Sequence, residues 1–203
     1  MNETVVSKVV GELETNCYLL TDQDSGECAL VDPGDEAELL TEWLRGKSPR
    51  YILLTHGHFD HVGALPAMHA LFPDAAVVLH ELDADGTGFH VVPVRQQIDK
   101  LYFCTDKELL PFGSSGIRVY HTPGHTRGSV VYHCGDTLLT GDTLFAGSCG
   151  RSDFPGGDSD ALYASLHRIS GLDGKIYPGH GVSSDMAQER ENNVFLRYAM
   201  RRG

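Results

Sequence analysis

The stretch Tyr51-Ile52-Leu53-Leu54-Thr55-His56-Gly57-His58-Phe59-Asp60-His61 decides how the rest of the chain is read. Its first five residues are apolar-rich, like a buried strand, and Val62-Gly63-Ala64-Leu65-Pro66-Ala67-Met68 behind it opens an apolar-periodic helix. Three imidazoles and a carboxylate therefore crowd a strand-to-helix turn. Imidazole and carboxylate suit borderline divalent ions such as zinc, iron or manganese. On an extended backbone His56 and His58, two apart, point to one side and can grip one ion. Asp60 and His61 come where the chain turns, placed to face a second ion. A single histidine is more often structural, and Asp60 alone also reads as the N-cap of the following helix. The four residues together argue for a metal site.

The chain has 203 residues, of which 41% are apolar and 22% charged, the composition of an ordinary soluble α/β core. No run of about 18 apolar residues occurs, which removes a transmembrane helix and a membrane role. The N-terminal Met1-Asn2-Glu3-Thr4 has no basic region followed by an apolar stretch, so no signal peptide is expected. A formal charge of −12 repels phosphate backbones and argues against nucleic-acid binding, although Arg197, Arg201 and Arg202 cluster near the end. Cys17, Cys28, Cys104, Cys134 and Cys149 are odd in number and unpaired in pattern. They read as free thiols in a reducing compartment, hence a cytoplasmic protein.

Working outward from the opening stretch, residues 4–10, 16–21 and 27–31 read as strands, with a turn at Asp22-Gln23-Asp24-Ser25-Gly26. A helix is predicted over about 36–45, with Leu39, Leu40, Trp43 and Leu44 as its apolar face. The helix after His61 runs to Phe72, and 76–80 is a short strand. From 81 to about 105 the pattern weakens, interrupted by Asp83, Asp85, Gly86, Gly88 and Pro93, with a helical turn or two over 94–102. This segment reads as an excursion over the site. Strands follow at 116–121, 129–134 and 137–140, the last two joined by Gly135-Asp136. A helix over 158–169 buries Leu162, Leu166 and Ile169; then come a strand at 175–177 and a helix over 186–201 with a break at Asn192-Asn193. The rhythm predicts two packed sheets with helices outside.

Three later motifs sit just past predicted strands: Thr122-Pro123-Gly124-His125-Thr126, Leu139-Thr140-Gly141-Asp142-Thr143 and Tyr177-Pro178-Gly179-His180-Gly181. Each carries glycine where the backbone must turn sharply. With H-x-H-x-D-H ahead of them, the four motifs in this order resemble the metallo-β-lactamase fold superfamily, from Asn16-Cys17-Tyr18 through Glu189-Arg190. The resemblance implies a four-layer αββα sandwich with residues 1–203 as a single domain. It also implies that His56, His58 and His125 hold one ion, that Asp60, His61 and His180 hold a second, and that Asp142 bridges them. His69, His80, His90, His133 and His167 are assigned structural roles, His121 is expected to pack at its strand end, and Cys149 is not expected to bind metal. Aspartate at 142, where the common antibiotic-hydrolysing branch has cysteine, and histidine at 58, where the di-iron flavoproteins have glutamate, point away from both branches.

Gly141-Asp142-Thr143-Leu144-Phe145 and the run Gly150-Arg151-Ser152-Asp153-Phe154-Pro155-Gly156-Gly157 resemble glyoxalase II-like thioesterases, which hydrolyse acyl-glutathione thioesters such as lactoylglutathione. The implied function is a dinuclear-metal hydrolase of a small acyl thioester. Its two divalent ions are expected to be zinc, with iron or manganese as alternatives, and Asp60 orients the attacking hydroxide. An iron-dependent persulfide dioxygenase with a similar loop, and a lactonase using the same centre, are the alternatives. Long-chain glyoxalases II carry a basic C-terminal helical extension for glutathione, whereas 23 residues follow His180 here, so no such domain is expected. Arg151 is the candidate contact for an anionic substrate group; a salt bridge with Asp153 is the competing reading.

Overall fold

The computed structural model describes residues 3–86 and 90–202; residues 1–2, 87–89 (Gly88 among them) and 203 lie outside the described part. Strands β1 (Glu3–Val10), β2 (Thr15–Asp22), β3 (Cys28–Val31), β4 (Tyr51–Leu53), β5 (Ala76–His80) and β6 (Leu101–Cys104) form one sheet in sequence order. The first three are antiparallel neighbours, and β3 to β6 run parallel. The second sheet contains β7 (Leu109–Leu110), β8 (Ile117–His121), β9 (Val130–Cys134) and β10 (Thr137–Gly141). A two-stranded ribbon, β11 (Leu144–Phe145) with β12 (Ser148–Cys149), stands apart, and β13 (Lys175–Pro178) and β14 (Ser184–Asp185) complete the second sheet beyond β10.

Side-chain alternation along each strand divides the core into three layers. Leu19, Leu30, Ile52, Val77 and Leu79 face Leu40 of α1 (Ala37–Trp43), Leu44 at its C-cap, and Leu65 and Met68 of α3 (Leu65–Leu71). Their neighbours Leu20, Ala29, Val31, Leu53 and Val78 turn the other way and meet Ile117, Val119, Val130, Tyr132 and Leu139 between the sheets. The outer face of the second sheet, with Leu138 and Ile176, packs on Leu162, Leu166 and Ile169 of α4 (Ser159–Ile169) and on Leu196 and Ala199 of α6 (Val194–Arg202). This is the αββα order expected, each face buried by the period-two pattern of its strands. None of the described helices is long and apolar enough to cross a membrane.

The elements fall where patterning put them, with local corrections. Leu39 is 39% exposed, so α1 buries the Leu40 and Leu44 stripe and turns Leu39 outward. The helix after the opening stretch is two pieces, α2 (Phe59–Val62) and α3, separated at Gly63-Ala64. The weak segment holds 3-10 turns at Glu81–Asp83 and Val94–Gln96, but 101–104 is a strand rather than the end of a helical stretch. The reason is topological. Strands β5 and β6 are parallel, a pairing that needs a crossover of about a dozen residues or more, and residues 81–100 are that crossover. At the C-terminus α5 (Met186–Asn192) and α6 break at Asn193, whose Oδ1 accepts the Phe195 and Leu196 amides and so caps α6.

Candidate metal centre

All seven predicted ligands meet at one edge of the sandwich. The turn after β4 brings His56, His58, Asp60 and His61; the loop after β8 brings His125; the end of β10 brings Asp142; and the loop after β13 brings His180. Three sets of donor atoms lie close enough to share an ion: His56, His58 and His125; His56, His61 and Asp142; and Asp60, His61 and His180. His56 Nε2 is 3.0 Å from His58 Nδ1, which is 2.9 Å from His125 Nε2. His61 Nε2 is 3.4 Å from His180 Nε2, and the Asp60 Oδ2 atom is 3.2 Å from His180 Nε2. Asp142 reaches both groups, with Oδ2 3.3 Å from His125 Nε2 and Oδ1 3.4 Å from His61 Nε2. A tetrahedral ion with bonds of about 2.0–2.1 Å sets its donors about 3.3–3.4 Å apart.

In four of the five rings the nitrogen turned away from the centre is engaged outside it, which leaves the inward nitrogen to the centre. His61 Nδ1 donates to Asp32 Oδ2 (2.9 Å), His125 Nδ1 to the Arg151 carbonyl (2.7 Å) and His180 Nδ1 to the Leu13 carbonyl (3.0 Å). His56 Nδ1 lies 3.0 Å from Thr55 Oγ1, whose own proton goes to Asp32 Oδ2. On neutral His56, His61, His125 and His180 the inward nitrogen therefore carries a lone pair, the arrangement that suits a bound cation. Buried Asp142 Oδ1 also has no hydrogen-bond partner. The residues present fit metal.

Electrostatics agree. Burial, reinforced by the neighbouring His61 and His58, drives His56 well below the usual histidine range; burial and His125 push His58 to about 3. Burial acts in the same sense on His61 and His180, yet Asp142 and Asp32 pull His61 up, and Asp60 with Asp142 pull His180 up. Asp60 stays ionised despite burial, because His180, the charge of His61 and the Thr15 hydroxyl (2.9 Å) favour its anion. It lies in the first turn of α2 and is not its N-cap, a position held by His58.

Two residues that hold the ligands carried no motif. Asp32, buried at a positive φ of 48°, accepts from Thr55 N, Thr55 Oγ1 and His61 Nδ1, and so fixes two ligand tautomers. Asp83, in the crossover, accepts from Gly57 N (3.0 Å), Thr126 Oγ1 (2.6 Å) and Gly128 N (2.7 Å), tying the His56–His58 turn to the His125 loop. Burial raises its pKa, and those three donors offset part of the cost. Asp32-Pro33-Gly34 at a strand end was the available signal for the first; nothing local marks the second. Asn16 Nδ2 donates to the Pro178 and Gly181 carbonyls and Tyr18 OH to Pro178, which holds the His180 loop against β2. Gly179 is required by close approach: a Cβ there would lie 2.2 Å from Asp142 Oδ1.

A cavity of about 580 Å3 opens over the centre, lined by His58, Asp60, His125, Asp142 and His180 and walled by Leu13, Phe59, Phe145 and Phe154. His90, assigned a structural role from sequence, lies in this wall, its ring 5.1 Å from that of Phe154. Cys149 lines the cavity but belongs to none of the donor sets among the described residues. Arg151 is at the rim, and the salt bridge to Asp153 is formed: Nε and Nη2 donate to its two oxygens at 2.7 Å each. His121 donates to the Arg127 carbonyl and stacks on His80, away from the donor sets.

Two back-to-back mixed sheets with a histidine–aspartate centre at one edge define a metallo-hydrolase. The chain belongs to the metallo-β-lactamase superfamily, whose pattern matches residues 10–180. It is similar to the hydroxyacylglutathione hydrolase GloC of Haemophilus influenzae, 33% identical over 204 residues that cover 92% of this chain and 95% of that one. Among solved structures it resembles the B3 metallo-β-lactamase BLEG-1, with a TM-score of 0.84 and 34% identity over 95% of this chain and 99% of that one. It also resembles TTHA1623 in a di-iron-bound form, with a TM-score of 0.79 and 34% identity over 94% and 99% of the two chains.

Proposed function

We propose that this protein hydrolyses small acyl thioesters with two divalent ions, zinc first and iron or manganese next, in a glyoxalase II-like reaction. The observation that carries the reading is the convergence of donors: seven side chains meet at one edge of the sandwich, five of them lining one cavity, and four rings have their outward nitrogen engaged elsewhere. His56, His58 and His125 would hold one ion, Asp60, His61 and His180 the other, with Asp142 shared. When bound, such a pair polarises a carbonyl and lowers the pKa of water toward about 7. Similarity to hydroxyacylglutathione hydrolase GloC supports a thioester as the substrate.

The chain's own residues supply position. Asp60 is anionic, and its Oδ2 is steadied by Thr15 and His180, which supports a role in accepting a hydrogen bond from the attacking water and orienting it toward the thioester carbonyl carbon. A C–O bond forms, the C–S bond breaks, and the thiolate takes up a proton, giving a carboxylic acid and a free thiol. Burial keeps the Cys149 thiol at about 11, so it is protonated at neutral pH and offers no competing nucleophile.

The test is thiol release from S-lactoylglutathione and other acyl thioesters, with metal content measured on the same sample. Activity that tracks two ions per chain and disappears in Asp142→Ala is expected. Activity undiminished in that variant sinks the mechanism, and iron-dependent oxygen uptake with glutathione persulfide replaces hydrolysis by oxidation.

A further inference from the structure

The chemistry of the walls around the centre says what kind of thioester fits. A second cavity, about 460 Å3, lies on the other side of Leu13 and Phe59; these two residues and Asp60 line both spaces. Leu13 is 53% exposed and Phe59 45%, so both offer apolar surface to whatever enters the two cavities. The rings of Phe145 and Phe154 stand edge-on to ligand rings, Phe145 6.1 Å from His180 and Phe154 6.1 Å from His58. A group bonded to the reacting carbonyl therefore meets phenyl and leucine surface.

The charges point the same way. Among the described residues lining either cavity, Arg151 is the single guanidinium or ammonium group. Asp153 occupies it in a two-point salt bridge, and its face lies 3.9 Å above the Phe154 ring. The second cavity contributes Glu12 and Asp35. Apart from the ions that the proposed centre would hold, the walls offer a carrier's carboxylates one guanidinium already paired and the like charge of Glu12, Asp35 and Asp153.

Resting on the thioesterase reading above, we infer that the site takes thioesters of apolar acyl groups, branched-aliphatic or arylalkyl, on a thiol carrier without anionic groups. Phe59 and Phe154 are the specificity-determining residues. They read the acyl chain by burying it, which also disfavours a 2-hydroxyacyl group, since its hydroxyl loses water against the phenyl walls.

The experiment uses the zinc-loaded full chain and four substrates: phenylacetyl and lactoyl thioesters, each on N-acetylcysteamine and on glutathione. The expected result is a preference of about tenfold or more for phenylacetyl over lactoyl on either carrier, the size that a few buried carbons supply in an apolar pocket. The neutral carrier is preferred over glutathione, by a margin that shrinks as salt rises. Phe59→Ala and Phe154→Ala each cut the acyl preference severalfold through KM at unchanged zinc content, whereas Phe154→Leu keeps it. Lactoyl equal to or better than phenylacetyl, or an acyl preference indifferent to both alanine variants, overturns the inference and leaves thioester hydrolysis standing. If zinc is retained and none of the four thioesters is cleaved, the thioesterase reading itself fails and the inference with it.

Discussion

Around one cavity, the seven candidate ligand side chains at and beneath its floor and the Arg151 loop on its rim are held in opposite ways. Floor residues are bound by partners far away in sequence: His61 by Asp32, His180 by Leu13, and the His56 and His125 turns together by Asp83. The Arg151 side chain is held by neighbours two and three residues along, Asp153 and Phe154, at the surface. One rim element is anchored from afar. The β11–β12 ribbon is clamped by buried Glu189, which accepts from Gly147 N, and by Asn193, which donates to the Phe145 and Ser148 carbonyls. The contrast separates two tasks. Metal chemistry needs donors fixed within fractions of an ångström, so it is over-determined by the whole fold. Substrate selection tolerates a local, exposed loop that changes without disturbing the floor.

The contrast breaks most sharply at Asp142. Replacement by alanine removes a donor facing both halves of the centre and is expected to lower kcat/KM by about a thousandfold, the several kcal/mol that such charge stabilisation supplies. Steady-state kinetics with elemental analysis checks it; a loss under tenfold would show that the carboxylate is not shared. Next comes Asp32→Asn. The amide keeps the shape but no longer accepts from both Thr55 and His61, and metal affinity is expected to weaken about 10–100-fold, read by competition with a chromophoric chelator.

Asp83→Ala comes third. It leaves the amides of Gly57 and Gly128 and the Thr126 hydroxyl without their acceptor, for an expected loss of about 1–3 kcal/mol in unfolding free energy. Chemical denaturation measures it, and metal affinity should fall in parallel because the His56 and His125 loops lose their tie. A pH titration sharpens the same point. His58 is held neutral down to about 3, so below its ordinary value of 6.5 the unfolded chain binds a proton that the folded one refuses, and stability falls as pH falls. Protons also compete with metal for the inward nitrogens, so ion release between about pH 7 and 5 is expected in a metal-binding assay. The smallest effect is expected at the rim. Arg151→Ala should leave the denaturation midpoint almost unchanged, since the ion pair is exposed, and should leave metal content intact by elemental analysis.

Much of this arrangement was legible along the chain. His56, His58, Asp60 and His61 are adjacent in sequence, and a two-residue spacing on extended backbone puts His56 and His58 on one side whatever the rest of the fold does. The later ligands were legible for a related reason: each follows a clear strand and has a glycine beside it, as in Thr122-Pro123-Gly124-His125 and Tyr177-Pro178-Gly179-His180. The layers followed because alternating residues such as Leu19 and Leu20, or Ile52 and Leu53, must serve two opposite faces.

Only the tertiary structure decided what supports and surrounds those ligands. Asp83 sits in a stretch without periodicity, and its three donors come from residues 57, 126 and 128, distances no local pattern encodes. The strand at 101–104 was hidden for the same reason, since its pairing with β5 depends on a crossover and not on its own four residues. That His90 would lie beside Phe154 in the cavity wall was likewise decided by the crossover. Donor identity and spacing are local properties of covalent geometry, so the sequence by itself determined the candidate ligand set and the layer order. Which buried carboxylate steadies which ring, and which phenyl groups wall the cavity, depend on packing between segments brought together only when the two sheets close on each other.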